Sequence, residues 1–297
     1  MKALVFDIGG TSIKYGRCEN GILTDVNETP TDASLGGRHI MDVITGLIKN
    51  ETDYDAIGVS TAGQVNAETG SIIYANSNIP GYTGTEIKKE LTGLFDVPVM
   101  VENDVNSAAM GEASYGAGKD YDSFLCLTYG TGVGGAIIQN GALFHGSSFS
   151  AGEFGGIVTH GTVKLSGADV FDGCYERFAS TTALVHSAQK LDASLSNGRL
   201  IFERLAEPSV KKLVDDWIDE ILLGLSTIIH IFNPPCIVLG GGIMVQPYIT
   251  EEITRRLPAQ IMPSFAHVKI LPAQLGNSAG LLGIYHLTEK LVNREKE

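Results

Sequence analysis

Cysteine is scarce in this chain. Four residues of 297 are cysteine (Cys18, Cys126, Cys174 and Cys236), and no two of them form a C-x-x-C pair. That spacing excludes a disulfide framework and a four-cysteine zinc cluster, and buried free thiols in a reducing compartment are expected instead. Positive charge is also short. Lys and Arg total 21 against 34 Asp and Glu, a net charge of −13. The basic residues gather only in pairs such as Lys88-Lys89 and Lys211-Lys212. A nucleic-acid partner, which calls for a basic face, is not expected. Long apolar runs are missing as well. The most apolar stretch, residues 221–232, is broken by Gly224, Ser226, Thr227 and His230, and it falls short of the roughly 18–20 residues of a membrane span. The apolar stretch at residues 3–6 stops at Asp7, too early for a secretory signal. A soluble, cytoplasmic protein without a membrane partner is expected.

What the chain has in excess is glycine. There are 36 in 297 residues, about 12% against an ordinary ~7%. No Gly-X-Y period accompanies them, so they belong in turns or where backbone approaches a ligand. Hydrophobic residues make up 43%, enough for a sizeable core, and the length suggests about two domains.

The hydrophobic pattern reads as alternating strands and helices. Strands are expected over residues 3–6, 12–17 and 22–26. A helix over residues 36–50 follows from the stripe Ile40, Val43, Ile44, Leu47 and Ile48. A strand over 56–60 leads into a Gly- and Asn-rich loop that runs to Gly84. A helix over 84–95, a strand over 97–101 and a small-residue helix over 105–115 complete the first half. After Gly116-Ala117-Gly118 the pattern restarts, with strands at 123–129, 134–139 and 142–144. Helical periodicity then dominates from about Ala168 to Phe232. A strand at 237–239, a helix at 248–257, a strand at 268–271 and a helix at 278–287 follow. The two halves begin alike, each with a strand, a Gly/Thr-rich turn, a second strand, a tight turn and a third strand. This is duplication at the scale of a domain.

The two Gly/Thr-rich turns are Asp7-Ile8-Gly9-Gly10-Thr11 and Tyr129-Gly130-Thr131-Gly132-Val133-Gly134-Gly135. Turns of this composition expose N–H groups to an anion, and small side chains let a phosphate come close. The second fits G-x-G-x-x-G formally, but strand and turn follow it rather than a helix, so a dinucleotide fold is rejected. No P-loop sequence occurs. In Glu102-Asn103-Asp104-Val105-Asn106 a strand ends in polar residues where a helix begins. One helix cap accounts for one of these residues, not for three in series. A carboxylate there suits the general base of phosphoryl transfer. Amides and carboxylates near Asn78, Glu153 and Glu176 suit a polyol, whose hydroxyls both donate and accept.

Taken together these residues resemble the ROK family of bacterial sugar kinases. The resemblance runs over nearly the whole chain. It is carried by Asp7-x-Gly9-Gly10-Thr11-x-x-Lys14, Glu102-Asn103-Asp104-Val105-Asn106, Gly130-Thr131-Gly132-Val133-Gly134-Gly135, Gly152-Glu153-x-Gly155, Gly173-Cys174-x-Glu176 and Gly240-Gly241-Gly242. It implies an α/β protein with the two-domain actin-like ATPase, ribonuclease H-like duplicated fold and a cleft between the domains. The expected division is residues 1–117 plus about 284–297 against 118–283, with a hinge near Gly116–Gly118. The implied reaction is transfer of the ATP γ-phosphoryl group to the 6-hydroxyl of a sugar. Asp104 is implied as the base. Gly63, Asn78, Asn103, Asp104, Glu153 and Glu176 are implied at the sugar. Asp7, Gly9, Gly10, Thr11, Lys14, Gly130, Thr131, Gly132 and Gly134 are implied at the phosphates, and Gly240, Gly241 and Gly242 at the adenosine. Asp7 is also implied at Mg2+. A homodimer is implied by the family alone.

Two departures from the family pattern bear on function. The family's cysteine-rich zinc run is reduced here to Gly173-Cys174, and one cysteine cannot build a four-ligand site, so no zinc is expected. The family's histidine after Glu-x-Gly is replaced by Gly156. That side chain approaches the anomeric side of the sugar, so its loss is expected to widen that end of the pocket. A β-glucoside such as cellobiose is therefore the leading substrate, followed by glucose and N-acetylmannosamine. The family's regulators carry an N-terminal DNA-binding domain, and none is expected here, since the Asp7 motif lies almost at the first residue. The retained Asp104 argues against a silent sugar sensor.

Overall fold

The computed structural model describes residues 1–161 and 169–294 and falls into two compact units. The first contains residues 1–120, 142–151 and 277 onward, and the second contains 121–141 and 152–276. Residues 142–151 leave the second unit and return to it, an excursion that a linear reading of the sequence cannot reveal.

The first unit is built on five strands. They are β1 (Lys2–Ile8), β2 (Ser12–Glu19), β3 (Ile22–Pro30), β4 (Ala56–Thr61) and β7 (Val99–Asn103), in the order β3-β2-β1-β4-β7. β1, β2 and β3 form an antiparallel meander. β4 is parallel to β1, and β7 is parallel to β4. Helix α1 (Gly36–Lys49) buries Ile40, Ile44 and Ile48 of the expected stripe and half-buries Val43 and Leu47, and it also buries Met41, which lies outside that stripe. With Ile87 and Leu91 of α2 (Ile87–Phe95) these residues pack in one cluster with Leu4, Phe6 and Ile8 of β1 and Ile57 and Val59 of β4. Each such side chain contributes roughly 1.5–3 kcal/mol on burial. A separate hairpin, β5 (Gln64–Asn66) with β6 (Ser71–Tyr74), occupies part of the stretch expected to be loop. Its strands are three and four residues long, too short to leave a readable alternation.

α3 (Asp104–Tyr115) packs against the C-terminal helix of the unit, which runs over Ala279–Arg294, further than its apolar stripe predicts. The small residues of α3 serve this contact. A side chain added at Gly283 would overlap the Ser107 carbonyl, and one at Gly111 would overlap that of Ala279. Backbone-to-backbone approach of this kind needs glycine.

The second unit is built on a sheet that repeats the meander. β8 (Phe124–Tyr129), β9 (Val133–Gln139) and β10 (Ala142–Leu143) are followed by two parallel strands, β11 (Cys236–Gly240) and β12 (Lys269–Pro272), in the order β10-β9-β8-β11-β12. The short edge strand of that sheet, β10, is the first two residues of the 142–151 segment. Its helices are α4 (Glu176–Ala179), α5 (Thr181–Leu191), α6 (Gly198–Glu203), α7 (Pro208–Phe232) and α8 (Pro247–Arg256), and the C-terminal helix of the first unit is α9. The expected start of helical periodicity, Ala168, lies outside the described residues. α7 buries Val210, Val214, Trp217, Ile218, Ile221, Leu222, Leu225, Ile228 and Ile229. Its Gly224 leaves room for the ring of Tyr175, whose hydroxyl donates to the Ile221 carbonyl at 2.8 Å. The indole N–H of Trp217 donates to the Ala179 carbonyl at 3.0 Å. Among the described residues, no helix is long and apolar enough to cross a membrane.

Candidate functional site

In the first unit, the polar residues at the β7–α3 junction take distinct jobs. Asn103, not Asp104, caps α3. Its Oδ1 accepts the N–H groups of Val105 and Asn106 at 2.9 and 3.0 Å. Its Nδ2 donates to the Gly63 carbonyl and to Asp104 Oδ1, both at 2.9 Å. Asp104 Oδ1 also accepts the Val105 N–H at 2.9 Å. Asp104 is thereby held without having to serve as the cap, and both of these bonds fall on one of its oxygens. Burial pushes its carboxyl up to about 7, helped by the charge of Asp7 and opposed by the hydrogen bonds just named. A carboxyl poised near neutrality is suited to accept a proton at physiological pH.

Asp7 lies near the end of β1, in register with Lys14 of β2 and Ser60 of β4. Ser60 donates to its Oδ1 at 2.7 Å. Burial raises the proton affinity of Asp7, while Ser60 and Lys14 work against the rise. Gly280, at the start of α9, lies against the same carboxyl, and a side-chain carbon there would come within 2.9 Å of it. The turn that follows is tight, with the Gly9 N–H donating to the Ser12 carbonyl at 3.0 Å. Gly10 and Thr11 are exposed. Thr31 holds the turn from outside, through its hydroxyl to the Gly9 carbonyl at 2.7 Å. Asn78 is exposed, and its N–H donates to Asn76 Oδ1 within its own loop at 3.0 Å. Asp7, Gly63, Asn103 and Asp104 are therefore tied together by contacts or by charge, whereas Asn78 is ordered by its own loop.

In the second unit, the β8–β9 turn closes through the Gly130 N–H and the Gly132 carbonyl at 3.0 Å. The Glu176 carboxylate lies beside this turn. A side-chain carbon at Gly132 would come within 2.5 Å of Glu176 Oε2, and one at Gly155 within 3.1 Å. Gly132, Gly155 and Glu176 are thus neighbours, although 44 sequence positions separate the first from the last. Gly134 sits on β9 opposite Thr128. Gly240 ends β11, also opposite Thr128. Gly241 has φ +108, and a side chain on it would strike the Tyr129 carbonyl. The glycine run at 240–242 therefore lies against the end of β8, beside the turn that contains Thr131. Glu153 and Gly156 are exposed, and a side-chain carbon added at Gly156 would meet nothing within 4 Å. Cys174 is buried, with its thiol directed at the Val170 carbonyl. His160 stacks on Phe178 and faces Glu220 at 3.5 Å. Among the described residues, no three His, Cys, Asp or Glu side chains cluster as metal ligands.

Four residues of this neighbourhood have no role assigned from the sequence: Ser60, Glu102, His145 and Gly280. Ser60 and Gly280 touch Asp7, and His145 touches Glu102 (2.7 Å). Glu102 carried a signal, as one of three polar residues in series. The other three had none, because their roles arise from pairing across long stretches of sequence.

The residue pattern and the paired meanders can be set against known proteins. A beta-glucoside kinase of Listeria innocua is 35% identical over 301 residues, with 98% of each chain covered. A glucokinase of Streptomyces coelicolor is 30% identical over 314 residues, with 96% of each covered. Among solved structures, a ROK family glucokinase from Streptomyces griseus in complex with glucose and AMPPNP superposes with a TM-score of 0.83 at 27% identity. That match covers 98% of this chain and 100% of the other. The ROK family model itself matches residues 3–290. Since the motifs, the duplicated topology and an alignment from end to end agree, this chain belongs to the ROK family.

Proposed function

We propose that this protein is an ATP-dependent sugar kinase that phosphorylates the 6-hydroxyl of a β-glucoside, with cellobiose-like compounds as its substrate class. The observation that carries the kinase reading is Asp104. It is a partly buried carboxyl raised to about 7, held by Asn103 and the start of α3. In the transfer, the sugar O6 attacks the γ-phosphorus and an O–P bond forms. The bond between the γ-phosphorus and its bridging oxygen breaks, ADP leaves, and the hydroxyl proton passes to Asp104. Positioning and charge neutralisation supply most of the acceleration in such reactions.

Asn103 and the Gly63 loop would present the sugar to Asp104 in the first unit, with Asn78 at its edge. In the second unit, Glu153 and Glu176 would bind further hydroxyls. Gly9, Gly10, Thr11 and Lys14 in the first hairpin, and Gly130, Thr131, Gly132 and Gly134 in the second, would hold phosphates. Gly240, Gly241 and Gly242 would face the adenosine. Asp7 would hold the Mg2+ that travels with the nucleotide. The fit is sound: the carboxylate is mostly desolvated, bonded by Ser60, and kept clear by a glycine at 280. Mg2+ supplies charge neutralisation at the β- and γ-phosphates. A homodimer belongs to this reading through the resemblance alone, and sedimentation would test it.

The substrate class rests on Gly156. Nothing lies within 4 Å of a carbon added there, so space is available where the family pattern has an imidazole. The 35% identity to a beta-glucoside kinase supports the same reading. Glucokinase and N-acetylmannosamine kinase are the alternatives. An ADP-release assay across cellobiose, simple β-glucosides, glucose, fructose and N-acetylmannosamine separates them. The β-glucosides are expected to give the highest kcat/KM. The variant Gly156→His is expected to lower kcat/KM for cellobiose by about tenfold while sparing glucose, because filling such a space typically costs 1–3 kcal/mol. Equal or better turnover of free glucose by the unaltered enzyme overturns the β-glucoside reading.

A further inference from the structure

Glu102 is wholly buried one residue from Asn103, yet nothing in the transfer assigns it a task. Its Oε1 accepts the Asn103 N–H at 2.8 Å and Asn106 Nδ2 at 3.0 Å. These bonds clamp the end of β7 to the first turn of α3, the junction on which Asp104 rides. Its Oε2 faces His145 Nε2 at 2.7 Å. A carboxylate removed from water needs such a partner, because an unpaired buried charge is among the costliest features a fold can carry.

His145 comes from residues 142–151, which group with the first unit. The loop around it is constrained. The Ala151 N–H donates to the His145 carbonyl at 3.1 Å, and Gly146 has φ +69. The ring of Phe149 lies 5.9 Å from the imidazole, on a backbone with φ +59. A bulky residue rarely adopts that conformation, and its presence signals a loop held in place by its surroundings. The charged groups that face His145 are Glu102 and, more weakly, Glu68, and both favour its protonated form. A protonated or a neutral imidazole can each donate to Glu102 through Nε2–H.

We propose that His145 is a positioning residue for Asp104, acting through Glu102 to fix the Asn103–Asp104 junction. The inference rests on reading Asp104 as the base of the kinase reaction. Without His145, Oε2 of the buried Glu102 carboxylate loses its partner, and the group must turn or recruit water, which loosens the bonds of Oε1 to Asn103 and Asn106. The consequence belongs to the orientation of the base, so it should fall on kcat and not on nucleotide binding.

The test is a set of variants of the full-length enzyme. They are assayed with ATP, magnesium and whichever β-glucoside or hexose the unaltered enzyme turns over fastest. His145→Ala is expected to lower kcat by about ten- to a hundredfold, the scale expected when a catalytic group is displaced by a fraction of an ångström to an ångström. KM for ATP should stay within about twofold. His145→Gln, long enough to donate to Glu102, should recover most of kcat, and His145→Asn, too short, should not. Because the Gln and Asn variants differ by one methylene, their comparison stands even if the Ala variant does not fold. The double variant Glu102→Gln/His145→Ala should be no worse than the poorer single one, as expected of residues acting as one unit.

A His145→Ala kcat within twofold of normal, equal kcat for the Gln and Asn variants, or additive losses in the double variant would each overturn the proposal. Asp104→Asn is the control for the reading beneath it. Near-normal turnover by Asp104→Asn removes the base itself. An inactive Asp104→Asn beside a normal His145→Ala removes only the inference about His145.

Discussion

The hairpins that open the two units share a ladder and differ in what stands on it. At one step of the first, Asp7 faces Lys14 on one side and Ser60 on the other. At the corresponding step of the second, Thr128 faces Gly134 and Gly240. The first step thus brings together a carboxylate, an ammonium group and a hydroxyl, where the second sets one threonine between two glycines. Both of the carboxyls whose proton affinity burial raises near the first hairpin, Asp7 and Asp104, belong to the first unit. Duplication of the scaffold has therefore not duplicated the chemistry. The first copy carries the buried carboxyls, and the second has glycine at the places where the first has Lys14 and Ser60.

The sharpest way to break this contrast is to neutralise Asp104, the proposed base. Asp104→Asn is expected to lower kcat by about 10²–10⁴-fold, the range of a general base, while sugar binding stays measurable by calorimetry. Substitutions in the two hairpins should then fail differently. Asp7→Asn is expected to cut kcat/KM by about a hundredfold and to raise the magnesium concentration needed for half-maximal rate. Gly132→Ala places a methyl group against Glu176 Oε2, at 2.5 Å before relaxation, and is expected to raise KM by about tenfold with a smaller change in kcat. Equal damage to kcat from both variants would erase the division of labour.

The pH dependence comes next in size. Asp104 must be ionised to take a proton, and its carboxyl lies at about 7. The value of kcat/KM should climb about tenfold per pH unit below that point and level off above it. The smallest effect is on stability. The folded-state proton affinity of Asp104 is raised above the ordinary carboxylate value of 3.8, so the folded protein binds the proton more tightly than the unfolded chain. Stability from this group is therefore lost as pH rises from about 4 and levels off above about 7. Asp104→Asn, which cannot ionise, should be more stable to unfolding by denaturant than the unaltered protein at pH 8, by on the order of 2 kcal/mol once partial exposure is allowed for. The gap should close toward pH 4.

Much of the architecture was legible because it follows from periodicity. The α1 stripe at Ile40, Ile44 and Ile48 and the two Gly/Thr turns announce themselves in local sequence. The β5–β6 hairpin did not, since strands of three or four residues hide among glycines and asparagines. The excursion of residues 142–151 was equally silent, because membership of a unit is a matter of contacts and not of order. At the site, the run Glu102-Asn103-Asp104 was visible, but its allocation was not. Local rules allow any of Asn, Asp, Ser or Thr to cap a helix, and only the backbone geometry at Asn103 assigns it the cap and frees Asp104.

The residue types proposed for phosphoryl transfer, their order along the chain and the repeated strand–turn–strand pattern follow from the amino-acid sequence, because composition and hydrophobic period act over a few residues. Which of those residues meet does not follow. Ser60 reaches Asp7 across 53 positions, Gly280 reaches it across 273, and His145 reaches Glu102 across 43. Each depends on strand order, helix packing or a returning loop. The proton affinity of Asp104 is of the same kind. It depends on how much water the assembled chain removes and on where Asp7 comes to rest, quantities that exist only after the chain has folded.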